Sequence, residues 1–275
     1  MILRKLYYKL PAQWRFIARR LWYAPADLWD AIKGRRDPLT PPRGLIYTGR
    51  GDFRNSGRKL VQRCIEWGGL QPHHRVLDVG SGIGRAAVAL TELLSPEGRY
   101  EGFDPILMGV RWCQKHISSR YPNFHFTHIP LANDLYQANG QSAHELRFPY
   151  PENYFDFAIV NSVFTHMLPK EVCHYLSELA RVLKPQAKAY ATFFLYDEYD
   201  KRICGMPGFR FPHDHGYYRL MDAQVRTANV AFSQRWLTQQ LTTAGFTCTR
   251  TFMGKWNGGL GPDFQDVLIL QCTTY

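Results

Sequence analysis

The chain has 275 residues, of which 45% are hydrophobic and 15% aromatic, and it carries a formal net charge of +11. This composition excludes a disordered protein, and the length favours one α/β domain with an appendage. No apolar run reaches the 18 residues that a membrane-spanning helix requires. The six cysteines lack metal-binding or disulfide spacing, so we expect buried, reduced thiols in a cytoplasmic protein (Cys64, Cys113, Cys173, Cys204, Cys248 and Cys272).

The positive charge is concentrated at the start of the chain. Residues 1–75 hold 16 Lys and Arg against five Asp and Glu, whereas the remaining residues hold 18 of each. The first acidic residue is Asp27. We therefore assign the basic excess to an N-terminal helical extension, residues 1–55.

The extension has the pattern of short amphipathic helices. Apolar residues recur at helical spacing over Ile2–Leu10 and Trp14–Trp22, and a third short helix is expected over Asp27–Lys33. Basic faces opposite Trp, Tyr and Leu suit helices that lie on an anionic membrane surface. The alternatives are packing of the aromatic stripe against the protein, polyanion binding and a targeting presequence. On the membrane interpretation, removal of residues 1–33 abolishes binding to anionic liposomes and leaves cofactor affinity intact.

The segment Val76–Gly84 combines a short apolar run, Asp78 and three glycines. The apolar run predicts a buried parallel strand, and the glycines predict a tight turn into a helix that begins at about Arg85. The backbone of such a turn contacts a ligand directly, and the amides at the start of the helix are expected to point at it. A dinucleotide fingerprint would need glycine at position 85, where this chain has arginine. We assign these residues to cofactor binding: Asp78, Gly80, Ser81, Gly82 and Gly84.

A second strand is predicted over Arg99–Asp104. Its terminal carboxylate, Asp104, follows Asp78 by 26 residues, close to the offset at which an acidic residue meets ribose hydroxyls in nucleotide-binding α/β folds. The alternative is that Asp104 caps a helix near Ile106–Ser119, with Pro105 at its first position. Both roles are compatible, and we assign Asp104 and Pro105 to the cofactor site.

The remaining elements continue this alternation. Strands and helices in turn predict a doubly wound α/β fold with a mostly parallel, seven-stranded sheet. The further predicted strands are Asn123–Ile129, Phe155–Val160, Ala187–Leu195, Phe246–Met253 and Gln265–Gln271, and the further helices are Lys170–Leu183 and Phe232–Ala244.

Two motifs resemble those of the class I S-adenosylmethionine (SAM) methyltransferases. The run Asp-x-Gly-x-Gly-x-Gly from Asp78 resembles motif I of that family, and Ser162–Met167 with Ala180–Pro185 resembles the block after its fourth strand. The family usually has a glycine pair after that proline, where this chain has Gln186 and Ala187. The resemblance covers roughly residues 56–275 and implies a Rossmann-like methyltransferase domain that binds SAM.

The resemblance also directs the choice of site residues. The sulfonium methyl of SAM is already activated, so such an enzyme mainly aligns an acceptor, and a hydroxyl acceptor also needs a general base. His166, just beyond the fourth strand, is our first candidate base; the alternative is a packing or capping role. Asn161 is placed beside the methionine part of the cofactor. Asp134 is placed beside the adenine amino group, with an ordinary turn residue as the alternative.

The long segment 196–231 is expected to cover the acceptor. It contains His213 and His215 on either side of Asp214, and we include both histidines among the catalytic candidates. Such a trio also suits acceptor orientation, a metal ion or a solvated loop, but ligands this close in sequence rarely fit one ion, so we expect no metal. The loop Gly49–Arg54 is expected to close over the carboxylate of the cofactor.

The sequence leaves the acceptor open among three classes. The basic amphipathic extension favours O-methylation of a glycan, glycolipid or lipid-like small molecule near a membrane. Nucleic-acid methylation is favoured by charge alone, because the Asn-Pro-Pro-Tyr type of motif is missing at Asn161–Phe164. A non-catalytic, SAM-binding partner subunit is the third class. We predict the first, with a small-molecule acceptor and an anionic membrane surface as partners.

Overall fold

A computed structural model describes residues 12–49, 51–132, 140–197 and 205–273. The helix predicted over Ile2–Leu10, the candidate Asp134 and the thiol of Cys204 lie outside the described residues. The strands in chain order are β1 (Arg75–Val79), β2 (Arg99–Asp104), β3 (Phe124–His128), β4 (Leu131–Ala132), β5 (Gln141–Ser142), β6 (Phe155–Val160), β7 (Leu183–Phe193), β8 (Leu195–Tyr196), β9 (Gly205–Met206), β10 (Phe209–Arg210), β11 (His213–Asp214), β12 (Tyr218–Leu220), β13 (Val230–Ser233), β14 (Phe246–Phe252) and β15 (Asp266–Cys272).

Seven of these strands form one sheet in the order β14-β15-β7-β6-β1-β2-β3. Six of the seven strands run in the same direction, and β15, which pairs antiparallel with both β14 and β7, runs in the opposite one. The described helices are α1 (Ala12–Ile32), α2 (Phe53–Gly68), α3 (Arg85–Leu90), α4 (Leu107–Cys113, continued by a π-helical turn to Ser118), α5 (Pro169–Val182) and α6 (Gln234–Thr243). The predicted doubly wound, mostly parallel seven-stranded fold is confirmed.

Both faces of the sheet are buried, as a parallel sheet requires. Successive residues of β1 point to opposite sides: Val76 joins the apolar cluster with α2, α3 and α4, and Leu77 joins the cluster with α5 and α6. Local signals fix the helix ends. The Asp52 carboxylate accepts the N–H of Asn55 at 2.6 Å at the start of α2, and Gly69 ends that helix with a φ of 75°.

The N-terminal extension differs from its prediction. One continuous helix, α1, replaces the two short helices expected over Trp14–Trp22 and Asp27–Lys33, and it runs through Pro25. A proline removes one helical hydrogen bond without forcing the chain to stop. The turn beyond Pro25 is also held from outside, since Asp27 accepts two backbone N–H groups of the following segment.

The predicted boundary between extension and domain, residues 55 and 56, falls in the first turn of α2, and this division stays a prediction. Between β8 and α6 the chain forms a small sheet, β11-β12-β13-β8, and a hairpin, β9-β10. The expectation of buried thiols was wrong for Cys248, which is exposed because its strand β14 lies at the edge of the main sheet, and for Cys173, which is only half-buried. No helix in the described part of the chain has the length and hydrophobicity needed to cross a bilayer.

Candidate active site

A cavity of about 400 Å³ lies at the carboxyl ends of β1, β2 and β6. This is the edge where ligands bind in doubly wound sheets. The cavity brings together eight of the residues predicted from the sequence: Asp78, Gly80, Ser81, Gly82, Asp104, Pro105, Asn161 and His166. The sequence pattern therefore converges on one place in the fold.

The turn after β1 depends on its glycines. Gly80, Gly82 and Gly84 have φ values of 71°, 59° and 78°, in the left-handed region that disfavours residues with a side chain. A Cβ on Gly80 would also come within 2.6 Å of the Val163 side chain. Gly84 does not line the cavity; a Cβ there would meet Cys113 at 2.8 Å, so its role is to let α3 pack against α4.

The N–H groups of this turn are directed at the protein. Those of Gly80 and Ser81 donate to the Phe103 carbonyl at 2.9 and 3.0 Å, and that of Gly82 donates to Oδ2 of Asp104 at 2.8 Å. These three loop amides are satisfied by acceptors on the neighbouring strand β2. The amides expected to point at the ligand are those at the start of α3, and their direction stays a prediction. A pyrophosphate requires such amides to be free, so the geometry disfavours a dinucleotide.

Asp104 joins the end of β2 to three donors. Besides Gly82, it accepts the N–H of Ile106 at 2.8 Å and the hydroxyl of Tyr47 at 3.3 Å. Burial raises the pKa of Asp104 to about 6, although these donors favour the ionised form. Helix α4 begins only at Leu107, so the expectation of Pro105 at its first position was wrong; Asp104 instead closes the turn that precedes the helix.

The charges around the cavity suit a cation. Asp78 accepts the Tyr100 hydroxyl at 2.6 Å, and burial, together with nearby Asp104, raises the pKa of Asp78 to about 7. The residues that line the cavity include three carboxyl groups, those of Asp78, Asp104 and Glu171, and one guanidinium, that of Arg85. A sulfonium or ammonium group fits this surplus of carboxylates better than a phosphate does.

Arg85 fastens the upstream segment over the glycine turn. Its guanidinium donates to the Thr48 carbonyl at 3.0 Å and lies 4.8 Å from the centre of the Phe53 ring. Thr48 and Gly49 line the cavity, so the start of the predicted Gly49–Arg54 loop lies beside the cofactor residues. Arg50 is outside the described residues, and closure over the cofactor carboxylate stays a prediction.

His166 is partly buried and faces the cavity. Its Nδ1 lies 3.0 Å from the Thr227 carbonyl. Burial lowers the pKa of the imidazole, against the opposing effect of the Thr227 and Ala228 carbonyls. A neutral ring that donates from Nδ1 to Thr227 carries its lone pair on Nε2, which is the form a general base needs.

His213 and His215 lie away from this cavity. Both side chains are exposed, and the His215 ring stacks on Tyr218 with 4.8 Å between ring centres. None of residues 205–231 lines the cavity, although the Thr227 carbonyl reaches His166. Within the described ranges, no three His, Cys, Asp or Glu side chains are grouped to hold a metal ion. The catalytic role predicted for the two histidines thus gains no support from the fold.

Among the described residues that line the cavity, two have a buried hydroxyl group without a hydrogen-bond partner. They are Ser81 Oγ in the glycine turn and Tyr175 Oη on α5, and both residues line the cavity. A buried hydroxyl without a partner costs about 1–3 kcal/mol, so both groups are suited to contact a ligand. Sequence reasoning missed Tyr175, because an aromatic residue on the inner face of a helix has the pattern of a core residue; its spacing of four from Glu171, which shares the cavity, is the only signal.

The end of β6 is strained. Ser162 has a φ of 59°, which is unusual for a residue with a side chain, and such strain concentrates at functional sites. The Ser162 hydroxyl donates to Oε1 of Gln265 at 2.9 Å, and its N–H donates to the Thr192 hydroxyl at 2.7 Å. Both Ser162 and Gln265 line the cavity, so the loop before β15 supplies a wall that the sequence did not indicate.

Comparison with known proteins is consistent with this site. A family model described as a methyltransferase domain matches residues 52–251. The 2-phytyl-1,4-naphtoquinone methyltransferase of Trichormus variabilis is 25% identical over 162 residues, which is 58% of this chain and 63% of that protein. The match thus spans less than two thirds of this relative. The ubiquinone/menaquinone biosynthesis C-methyltransferase UbiE of Cupriavidus taiwanensis is 25% identical over 191 residues, 66% of this chain and 72% of that protein.

Solved structures share the fold at low sequence identity. The 1,6-didemethyltoxoflavin-N1-methyltransferase of Burkholderia thailandensis, solved with 1,6-didemethyltoxoflavin and S-adenosylhomocysteine, has a TM-score of 0.53 at 18% identity and covers 96% of this chain and 91% of its own. The PH0226 protein of Pyrococcus horikoshii has a TM-score of 0.56 at 16% identity, with coverages of 88% and 98%. These likenesses concern the fold alone.

Proposed function

The chain belongs to the methyltransferase domain family, and we propose that it transfers a methyl group from SAM to a hydroxyl group of a lipid-like small molecule at a membrane surface. One observation supports the choice of cofactor most strongly. The cavity at the ends of β1, β2 and β6 directs its loop amides at the protein and is lined by more carboxyl groups than cationic groups. A sulfonium cofactor is suited to such a site.

The residues present fit this cofactor. The backbone of Gly80 and Gly82 lines the cavity, and the Ser81 hydroxyl is a buried group without a partner. In the proposal, Asp104 accepts the ribose hydroxyls, while Asp78 and Asn161 face the amino-acid part. When bound, SAM supplies a methyl group that is already activated by the sulfonium. The protein then has to orient the acceptor and remove its proton.

We assign proton removal to His166. Its ring is held by the Thr227 carbonyl, and the lowered pKa keeps the imidazole neutral near pH 7. The lone pair on Nε2 takes up the proton of the substrate hydroxyl group as the methyl group is transferred to its oxygen. A general base typically contributes about 10²–10⁴-fold to the rate.

The acceptor class follows from the walls of the cavity. Beyond the glycine turn these walls are largely apolar, with contributions from Phe103, Leu131, Val163 and Met167. Of the glycan, glycolipid and lipid-like acceptors expected from the sequence, the lipid-like molecule fits such walls best. Relatives named for naphthoquinone and for ubiquinone/menaquinone biosynthesis are consistent with an apolar acceptor.

The membrane part of the proposal is based on α1. Its apolar residues face outward: Trp22 is 79% exposed, Leu21 70% and Trp14 61%. The packing alternative, in which this stripe is buried against the protein, is therefore wrong for the described helix. Arginines flank the stripe, so a bilayer containing anionic lipids complements both its hydrophobicity and its charge.

Labelled methyl transfer tests the acceptor class. The purified protein is incubated with methyl-labelled SAM and separate lipid, glycan, RNA and protein fractions of a cell lysate. We expect label in the lipid fraction, with the new methyl group on oxygen by mass spectrometry. Label confined to RNA would favour the nucleic-acid alternative, and absence of label from every fraction would favour a non-catalytic subunit.

Sedimentation with vesicles tests the membrane surface. Replacement of Leu21 by serine removes an exposed apolar side chain from α1, and Leu260→Ser removes one from the loop between β14 and β15, where Leu260 is fully exposed. Burial of a leucine is worth about 1.5–3 kcal/mol, so Leu21→Ser should weaken binding to anionic vesicles about 10-fold or more, and Leu260→Ser should not. Equal binding by the two variants would remove α1 as the docking surface.

A further inference from the structure

We propose that Tyr47 is a positioning residue of the cofactor site and that α1 holds it in place, so that docking of α1 on an anionic membrane strengthens SAM binding. This inference rests on the proposed membrane function. It concerns the segment 43–49, here called the tether, which connects α1 to the cavity.

The tether forms one wall of the cofactor cavity. Tyr47, Thr48 and Gly49 line it on the side of the glycine turn. Thr48 lies so close that a Cβ on Gly82 would meet its hydroxyl at 3.2 Å, and Arg85 donates to its carbonyl at 3.0 Å. Displacement of the tether would therefore open the site next to the glycine turn.

Tyr47 connects this wall to the carboxylate assigned to the ribose. Its hydroxyl donates to Oδ1 of Asp104 at 3.3 Å and lies against Gly109, where any side chain would overlap it. Donation to Asp104 favours the ionised carboxylate, whose pKa burial raises to about 6. Together with the N–H groups of Ile106 and Gly82, Tyr47 thus helps to keep Asp104 charged and oriented without itself needing to contact the cofactor.

Helix α1 fastens the other end of the tether through its polar face. Asp27 accepts the N–H of Arg43 at 2.7 Å and that of Gly44 at 3.0 Å. The Arg43 guanidinium pairs with Asp30 at 3.0 Å. Farther along the helix, the Phe16 ring contacts the Tyr47 ring edge-on, with 5.6 Å between centres. Both acidic residues of α1, Asp27 and Asp30, therefore bind the tether.

This arrangement separates two surfaces of one helix. The polar face of α1 holds the tether, and the opposite apolar face is exposed to solvent. A bilayer that binds the apolar face of α1 restrains the helix and, through it, the tether. The tether then has less conformational freedom left to lose when the cofactor binds. By thermodynamic linkage, SAM and the membrane then each raise the affinity for the other. We accordingly expect weaker cofactor binding after removal of residues 1–33, in contrast to the independence expected from the sequence.

Calorimetric titration of the full chain with S-adenosylhomocysteine, with and without vesicles of phosphatidylcholine and phosphatidylglycerol, tests the linkage. Saturating anionic vesicles should lower the Kd about five-fold or more, which is the lower end of usual coupling. Asp27→Ala should still sediment with the vesicles but show the same Kd with and without them. Glu66→Ala removes an exposed carboxylate from α2, and this charge-matched control should keep the full shift.

Tyr47→Phe supplies a second measurement. Loss of the hydroxyl should weaken binding of S-adenosylhomocysteine about three- to ten-fold, because this hydrogen bond is long, at 3.3 Å, and should contribute no more than an ordinary one between uncharged groups, while the circular dichroism of the folded protein stays unchanged. An unchanged Kd on vesicles for the wild type, or a shift that persists in Asp27→Ala, would overturn the inference and leave membrane docking intact. Failure of the wild type to sediment with vesicles would overturn both.

Discussion

The backbone N–H of Gly82 donates to Oδ2 of Asp104 across 2.8 Å, so the turn after β1 is fixed to the end of β2. In Asp104→Asn, an amide group would face at least one of the three donors that now meet a carboxylate. We expect the affinity for S-adenosylhomocysteine to fall about ten-fold or more, since hydrogen bonds to charged groups contribute roughly 1.5–3 kcal/mol. Calorimetric titration measures this. Asp156→Asn, which removes the partner of Lys184 at the opposite end of the sheet, should leave the affinity unchanged.

The protonation of His166 gives a prediction about pH. Because burial lowers the pKa of His166, the neutral base persists to below its ordinary value of 6.5. At saturating SAM, methyl transfer to the lipid fraction should therefore be nearly constant at about pH 8 to 9, above the pKa of about 7 of the cofactor-site residue Asp78, and fall at lower pH, while His166→Asn should lose about 100-fold or more. An NMR titration that gave His166 a pKa above 6.5, or full activity of the variant, would contradict this role.

The same shift affects stability. A histidine whose folded pKa is lowered binds a proton more readily in the unfolded chain, so its contribution to stability is lost as pH falls through 6.5 and below. Urea unfolding should show a steeper loss of stability below this pH for the wild type than for His166→Asn.

Comparison of Tyr100 with Tyr175 tests the effect of a buried hydroxyl group that has no hydrogen-bond partner. Both rings are buried, but Tyr100 Oη donates to Asp78 at 2.6 Å, whereas Tyr175 Oη has no partner. In the ligand-free protein, Tyr100→Phe should lower the free energy of unfolding by about 1–3 kcal/mol, and Tyr175→Phe should leave it unchanged or raise it. If a ligand uses the Tyr175 hydroxyl, Tyr175→Phe should still weaken ligand binding or raise KM. A stability loss in Tyr175→Phe equal to that in Tyr100→Phe would contradict the expectation.

Gln186 occupies the position where the family usually has a glycine. Its φ of 66° lies in the left-handed region, and its exposed side chain accepts a hydrogen bond from Gln271 at 2.7 Å. Gln186→Gly should stabilise the protein by about 0.5–1 kcal/mol, because relief of the backbone strain exceeds the contribution of this surface contact. Gln271→Ala, measured by the same thermal unfolding, shows what the side-chain contact contributes alone. A lower melting temperature for Gln186→Gly would refute the strain argument.

The sequence predicted the sheet and the cofactor end of the cavity because their determinants are local. Val76, Leu77 and Val79 are apolar because both faces of their strand are buried, and the glycines follow because the turn requires left-handed residues. The family motif is therefore contained in nine consecutive residues, from Val76 to Gly84.

Other features depend on contacts that no local pattern encodes. Tyr47 meets Asp104 across 57 positions, and Ser162 meets Gln265 across 103. The spacing of His213 and His215 around Asp214 predicts a shared chemical role, but both residues lie on a short exposed hairpin away from the cavity. The direction of the loop amides was also beyond sequence reasoning, since it depends on where the Phe103 carbonyl lies in the neighbouring strand.

Tryptophan fluorescence can report the contact of α1 with lipid, because the outward face of this helix carries exposed indole rings. Three of the seven tryptophans, Trp14, Trp22 and Trp29, are on that face and are more than half exposed, whereas Trp112 and Trp256 are buried and Trp67 and Trp236 are partly buried. Indole emission shifts to shorter wavelength on leaving water, so a blue shift on contact with lipid would come from this helix, without any added dye. Quenchers dissolved in water or attached at known depths in the acyl chains would then tell how far the helix sinks.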